Sequence, residues 1–95
     1  MIRHVVFFSA INPEDSNAIF DGLSMLANIP HASLFEVTRN LKVDKINGKD
    51  PDFIVYAEFA NQEALDAYKA HPLYKKSISI VRPLRDMRIA ADFLG

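Results

Sequence analysis

The stretch that most constrains this chain is its first, Ile2-Arg3-His4-Val5-Val6-Phe7-Phe8-Ser9-Ala10. It is rich in β-branched and aromatic residues and so reads as a strand. Side chains alternate across a strand. One face therefore carries Ile2, His4, Val6, Phe8 and Ala10, and the other carries Arg3, Val5, Phe7 and Ser9. A strand with one wet face keeps its large apolar groups on the other. Here both faces carry them, so both need cover. One of the two also holds a histidine in apolar company.

The remaining chain supplies cover for one face. Asn12-Pro13-Glu14-Asp15 reads as a helix start, with Asn12 as the cap, Pro13 at the first helical position and acids at the positive end of the dipole. A helix over residues 13–28 would place Ile19, Phe20, Leu23, Leu26 and Ala27 on one stripe. Gly22 sits beside that stripe, at a cost of about 1 kcal/mol relative to alanine, which points to a close packing contact or a cavity wall. Pro30 ends the helix.

Residues 33–43 form a second strand, with Phe35, Val37, Leu41 and Val43 on one parity. Residues 44–51, centred on Asn47-Gly48, are a hairpin turn. Residues 52–60 are a third strand with two apolar parities. Asn61-Gln62-Glu63 caps a second helix over 62–70, with Ala64, Leu65 and Tyr68 inward. Pro72 disfavours helical geometry at His71 and marks a break. Tyr74, Ile78 and Val81 have helical spacing in a further piece over 73–81. Residues 86–93 are the last strand.

The order is βαββαβ, an α+β chain of the ferredoxin-like pattern, whose antiparallel sheet has strand order 4-1-3-2. The whole chain, residues 1–95, reads as one domain. Helices would cover one face of the sheet. The other face would carry Val5, Phe7, Ile54, Tyr56, Met87 and Ile89. An apolar patch of that extent seldom faces water on a monomer. Its simplest cover is the same face of a second chain about a twofold axis, so a homodimer is expected.

Composition narrows the functions. The net charge is -1 and no run of Lys or Arg exceeds two, which argues against nucleic acid and anionic membrane as partners. There is no cysteine, which excludes disulfides, thiolate metal sites and cysteine nucleophiles. No apolar run approaches a membrane helix, and strand-like sequence begins at Ile2 with no signal peptide before it, so a cytoplasmic setting is expected. Three scattered histidines form no metal motif. Three dispersed glycines form no phosphate loop, and the serines lack a nucleophile-elbow context. No metal or cofactor is expected.

His4 is the main candidate for chemistry. The end of strand four, near Asp92, should lie beside it. Strand three, read as parallel to strand one, would bring its start near Phe53 to the other side. A hydrogen bond from His4 to Asp92 would fix the tautomer and leave the second ring nitrogen free as a base. The plain alternative is a core histidine satisfied at the sheet end. Tyr68-Lys69-Ala70-His71-Pro72-Leu73-Tyr74 is the second feature. His71 reads as a helix-end residue suited to the C-terminal dipole, and Tyr68 and Tyr74 could present hydroxyls to a ligand. A small-ligand pocket between sheet and helices would be lined by Val6, Phe8, Phe20, Leu23, Phe53, Val55 and Tyr68, and His71 is a further ligand-binding candidate. An open pocket of a few hundred Å³ beside His4 would favour ligand work, and a filled core would favour a structural role.

These residues resemble a known family. Met1-Ile2-Arg3-His4-Val5-Val6-Phe7-Phe8 is similar to the opening of the stress-responsive α/β-barrel, or Dabb, domain. Asp52-Phe53 through Phe59, then Glu63-Ala64-Leu65 and Tyr68-Lys69-Ala70-His71-Pro72, resembles its second signature, and Asp92-Phe93 its terminal Asp-aromatic pair. The resemblance implies a ferredoxin-like protomer and a dimeric α/β barrel. Some plant members resemble polyketide cyclases, which close rings without a cofactor. The resemblance makes His4 their strand-one histidine, Asp92 its partner and Tyr68 the tyrosine before His-Pro. Their second histidine is Tyr74 here, and their pocket tyrosine falls at Gly22. Tyr74 would donate a hydrogen bond but is a poor base at neutral pH. The alternatives are a small-ligand protein with acid/base chemistry at His4, a non-catalytic dimeric stress-related protein, and a cofactor-free monooxygenase of the same barrel class.

Overall fold

The computed structural model describes residues 1–44 and 48–95. Its elements are β1 (Ile2–Ala10), α1 (Ser16–Ser24) between 3-10 turns at Pro13–Asp15 and Met25–Asn28, β2 (Leu34–Arg39), β3 (Phe53–Phe59), α2 (Gln62–Ala70), α3 (Pro72–Val81) and β4 (Arg85–Leu94). The sheet order is β2-β3-β1-β4, the ferredoxin-like arrangement. Every neighbouring pair is antiparallel. Among the described residues, no helix is long and apolar enough to cross a membrane.

The first helical segment has the expected span but not one continuous form. Asn12 has the extended backbone of a cap, yet its side chain caps nothing. At the other end, Ser24 Oγ donates back to the Phe20 carbonyl at 2.7 Å, a bond that competes with the helical ladder. The chain then tightens to a 3-10 turn, where residues three apart share a face. Leu23, Leu26 and Ile29 are consequently all buried, and Ala27, expected on the stripe, is exposed.

β2 is shorter than its alternation suggests. The last rung is Asn40 N–H to the Asp52 carbonyl at 2.9 Å. Asn40 then turns the chain with its own side chain, donating to the Pro51 carbonyl at 2.7 Å and accepting from Lys42 N–H at 3.0 Å. Lys42 takes a positive φ of 61°. Leu41 and Val43, placed on the inward parity by sequence, therefore lie beyond the sheet and are exposed. The Asn47 half of the expected Asn-Gly turn lies outside the described residues. Gly48 has the positive φ, 71°, that such a turn needs from glycine.

Helices α1, α2 and α3 cover one sheet face. Val6 and Phe8 of β1 and Phe53, Val55, Ala57 and Phe59 of β3 meet Ile19, Leu23, Leu65, Tyr68 and Val81 in one core. Gly22 brings α1 against α3. A Cβ there would stand 2.9 Å from Val81 Cγ2 and 3.0 Å from Ile80 Cγ2. Ser77 Oγ donates to the Gly22 carbonyl at 2.8 Å across the same contact. No room is left at position 22 for a pocket tyrosine. Asn61 caps α2, its side-chain oxygen accepting from Ala64 N–H at 2.9 Å.

Candidate functional site

The sheet register sets the site. His4 stands opposite Asp92 on β4 and opposite Ala57 on β3. This corrects the expectation that β3 runs parallel to β1. A hairpin reverses the chain between β2 and β3, so β3 runs against β1 and Phe53 pairs with Phe8 at the far end. The phenyl ring beside His4 is Phe59, edge-on at 6.3 Å between centroids.

His4 is 2% exposed, in the apolar core. Its Nδ1 is hydrogen-bonded to Asp92 Oδ1. The Asp92 side chain is 40% exposed, so the carboxylate keeps water while the imidazole does not. With Nδ1–H donating to a carboxylate, the neutral ring carries its lone pair on Nε2. Nε2 makes no hydrogen bond to any described residue.

Tyr68 packs edge-on to His4 at 6.2 Å, and Tyr74 packs edge-on to Tyr68 at 5.3 Å. Burial pushes the Tyr68 phenol above its ordinary range, with Tyr74 adding to the shift and Arg88 opposing it. Tyr68 is therefore a neutral hydroxyl, able to donate, at neutral pH.

These groups face a cavity of about 290 Å³ between the sheet and α3. Of the residues expected there, His4, Val6, Phe8, Leu23, Val55, Tyr68 and Tyr74 line it. Ser77, Ile78, Arg82, Arg85 and Arg88 line it too, and sequence reading did not find them. The arginines escaped because strand parity puts residues 85 and 88 on opposite faces. A bulge overrides that parity. Phe8 pairs with Arg88 and Ala10 with Arg85, so β4 spends three residues where β1 spends two. Met87 N–H donates to Ser9 Oγ at 2.9 Å within it. Such a bulge re-aims side chains, and both arginines reach the cavity.

Phe20, Phe53 and His71 lie elsewhere. Phe20 and Phe53 pack together at 6.3 Å and line no part of the cavity. The Arg39 guanidinium closes that end, with its carbon 4.5 Å from the Phe20 ring centre, and holds Ser16 Oγ at 2.9 Å and Asn17 Oδ1 at 3.0 Å. His71 is the joint between α2 and α3. Its φ of -67° and ψ of 142° are those of a residue before proline. Its Nδ1 accepts from Leu73 N–H at 3.1 Å, so it caps the start of α3 as a neutral ring and does not serve the end of α2 as a cation. Its ring packs edge-on against His31 at 6.2 Å. Among the described residues, no cluster of three or more His, Cys, Asp or Glu side chains could hold a metal ion.

The architecture has close counterparts. A dimeric ferredoxin-like protein of unknown function from Thermobifida fusca is 26% identical, with a TM-score of 0.80 over 97% of this chain and 88% of that one. A Dabb family protein with a ferredoxin-like fold from Mesorhizobium loti is 24% identical, with a TM-score of 0.80 over 99% of this chain and 95% of that one. A variant of SnoaB, a cofactor-independent oxygenase from Streptomyces nogalater, is 17% identical, with a TM-score of 0.70 over 99% of this chain and 91% of that one. The last two likenesses show the shared fold alone. No curated protein matches the chain. The model of the Stress responsive A/B Barrel Domain matches residues 2–94. The chain belongs to the stress-responsive α/β-barrel, or Dabb, family.

Proposed function

We propose that this protein binds a small, partly apolar carbonyl or aromatic compound in the cavity between sheet and α3, with His4 as its hydrogen-bonding group or base. The observation that carries the reading is a buried imidazole, hydrogen-bonded to Asp92, on the wall of an open cavity of about 290 Å³. A histidine that only satisfied the sheet end would need no such space beside it. Asp92 holds the ring and stabilises the imidazolium that forms when Nε2 takes a proton. Tyr68 and Tyr74 donate to a ligand carbonyl or phenol. The cofactor-free oxygenase reading rests on fold likeness alone and ranks below this one.

The same protein is a homodimer in this reading. Several counterparts are described as dimeric. Val5 pairs with Tyr56, and Phe7 with Ile54 and Ile89, on the sheet face away from the helices. Ile89, on the edge strand β4, is 56% exposed in a single chain and extends the apolar patch of Phe7 and Ile54. A soluble monomer at micromolar concentration in sedimentation would remove the dimer.

The test of the site is a thermal-shift screen of carbonyl and phenolic compounds, repeated with His4→Ala. A stabilising compound whose shift disappears in a folded His4→Ala variant is the expected result. A shift that persists removes His4 from the account.

A further inference from the structure

Three arginines at one cavity are an unusual wall for a purely apolar ligand. Arg82 follows the last residue of α3, and Arg85 and Arg88 come from β4 across the bulge. The chain as a whole carries a net charge of -1, so this concentration of positive charge runs against the global sign. Among the described residues no carboxylate lines the cavity: Asp92 reaches it only through its Oδ1 bond to His4, and Asp86, within the β4 bulge, lines a separate pocket. The other ion pairs among the described residues join Lys42 to Asp50 and Asp52, in the β2–β3 connection. No described carboxylate pairs with Arg82, Arg85 or Arg88.

A plain structural account covers one of the three. Arg82 stands where the negative end of the α3 dipole favours a cation. It does not explain Arg85, which is half-buried, or Arg88 in mid-strand. Burial lowers the Arg85 pKa from its ordinary value, and the charges of Arg88 and Arg82 lower it further. The protein thus holds like charges together without an internal counter-charge, an arrangement that an external anion relieves. Guanidinium forks match the planar geometry of oxyanions.

We infer that the cavity takes an amphiphilic ligand bearing an oxyanion, its charged group held at the mouth by Arg82, Arg85 and Arg88 and its apolar body against Val6, Leu23 and Val55. This rests on the small-ligand reading above and gives that ligand a charge and a direction. The oxyanion lies toward the β4 bulge, and the group served by His4 lies deeper in the cavity.

Phenylacetate and phenylacetamide are matched probes, differing in charge and little in shape. Titration calorimetry of the intact protein should show the acid binding about tenfold tighter than the amide, a preference that shrinks as salt is raised. Arg85→Gln combined with Arg88→Gln should cut the preference to about threefold or less, the remainder being the charge of Arg82. Arg85→Lys, which keeps the charge but loses the fork, should retain part of it. Equal binding of acid and amide by the native protein overturns the anion assignment, as does a preference that is undiminished in the double variant. If the amide still binds in a His4-dependent manner, the small-ligand reading stands without it. Binding of neither probe at millimolar concentration removes the small-ligand reading and the anion assignment together.

Discussion

The two faces of the sheet are built from the same strands and meet different fates. On the helix side, His4, Val6 and Phe8 alternate into a core that this chain closes by itself. On the far side, Val5, Phe7, Ile54 and Tyr56 are only half-buried, and Ile89 and Phe93 are exposed. The residue types are alike, so hydrophobicity does not distinguish the faces. What distinguishes them is where the cover comes from. The inner face is covered by helices on the same chain, at a cost met during folding. The outer face has no helix, and in the proposed dimer its cover comes from a second chain. Inner substitutions should therefore act on the fold, and outer ones on association.

The largest effect should come from the inner face. Phe53 is 1% exposed against Phe20. Phe53→Ala should lower stability by about 3–5 kcal/mol in urea unfolding, from lost transfer energy and the cavity left behind. A loss under about 1 kcal/mol would mean that this end of the core is not closed as described. The outer face should respond in another observable. Phe7→Asp should weaken self-association at least about tenfold, or roughly 1.4 kcal/mol, seen as a fall in mass by sedimentation and a melting temperature that no longer rises with protein concentration. If the mass is unchanged and the melting temperature falls equally at every concentration, the faces do not divide in this way.

The smallest effect should come from the rim of the sheet. Asp52 Oδ2 accepts from Ala10 N–H at 2.8 Å, and its other oxygen pairs with Lys42. Burial alone would raise its pKa, but the hydrogen bonds from Lys42 and Ala10, with the Lys42 charge, bring it below the ordinary 3.8. A carboxyl lowered on folding adds stability above its unfolded pKa and loses it as pH falls through the folded one. Asp52→Asn should therefore cost under about 1 kcal/mol at neutral pH, and the difference should shrink as pH falls below the ordinary 3.8 and through the lowered folded pKa. A deficit that persists in acid would assign the cost to hydrogen-bond geometry rather than to charge.

Much of this was legible along the chain. The double apolar parity of β1 marked a sheet with two apolar faces. Asn61 announced α2, and the His-Pro pair announced its end. The juxtaposition of His4 and Asp92 followed from strand order, because neighbouring strands of known direction bring fixed residues together. Errors arose where geometry departs from a regular period. Ala27 and Ile29 exchanged roles because a 3-10 turn repeats every three residues. Phe20 and Phe53 fell outside the cavity because β3 runs against β1, which places Phe53 beside Phe8 and under Arg39.

The pattern of residue types by itself determined the βαββαβ order, the two apolar faces and the identity of the buried imidazole, since each depends on local periodicity or on a proline or cap. Only the tertiary structure decided that a cavity stays open beside His4 and that three arginines border it. Space between packed elements is not a property of any segment. The inward aim of Arg85 comes from one extra residue in β4, measured against the partner strand β1, and no reading of β4 alone contains that register.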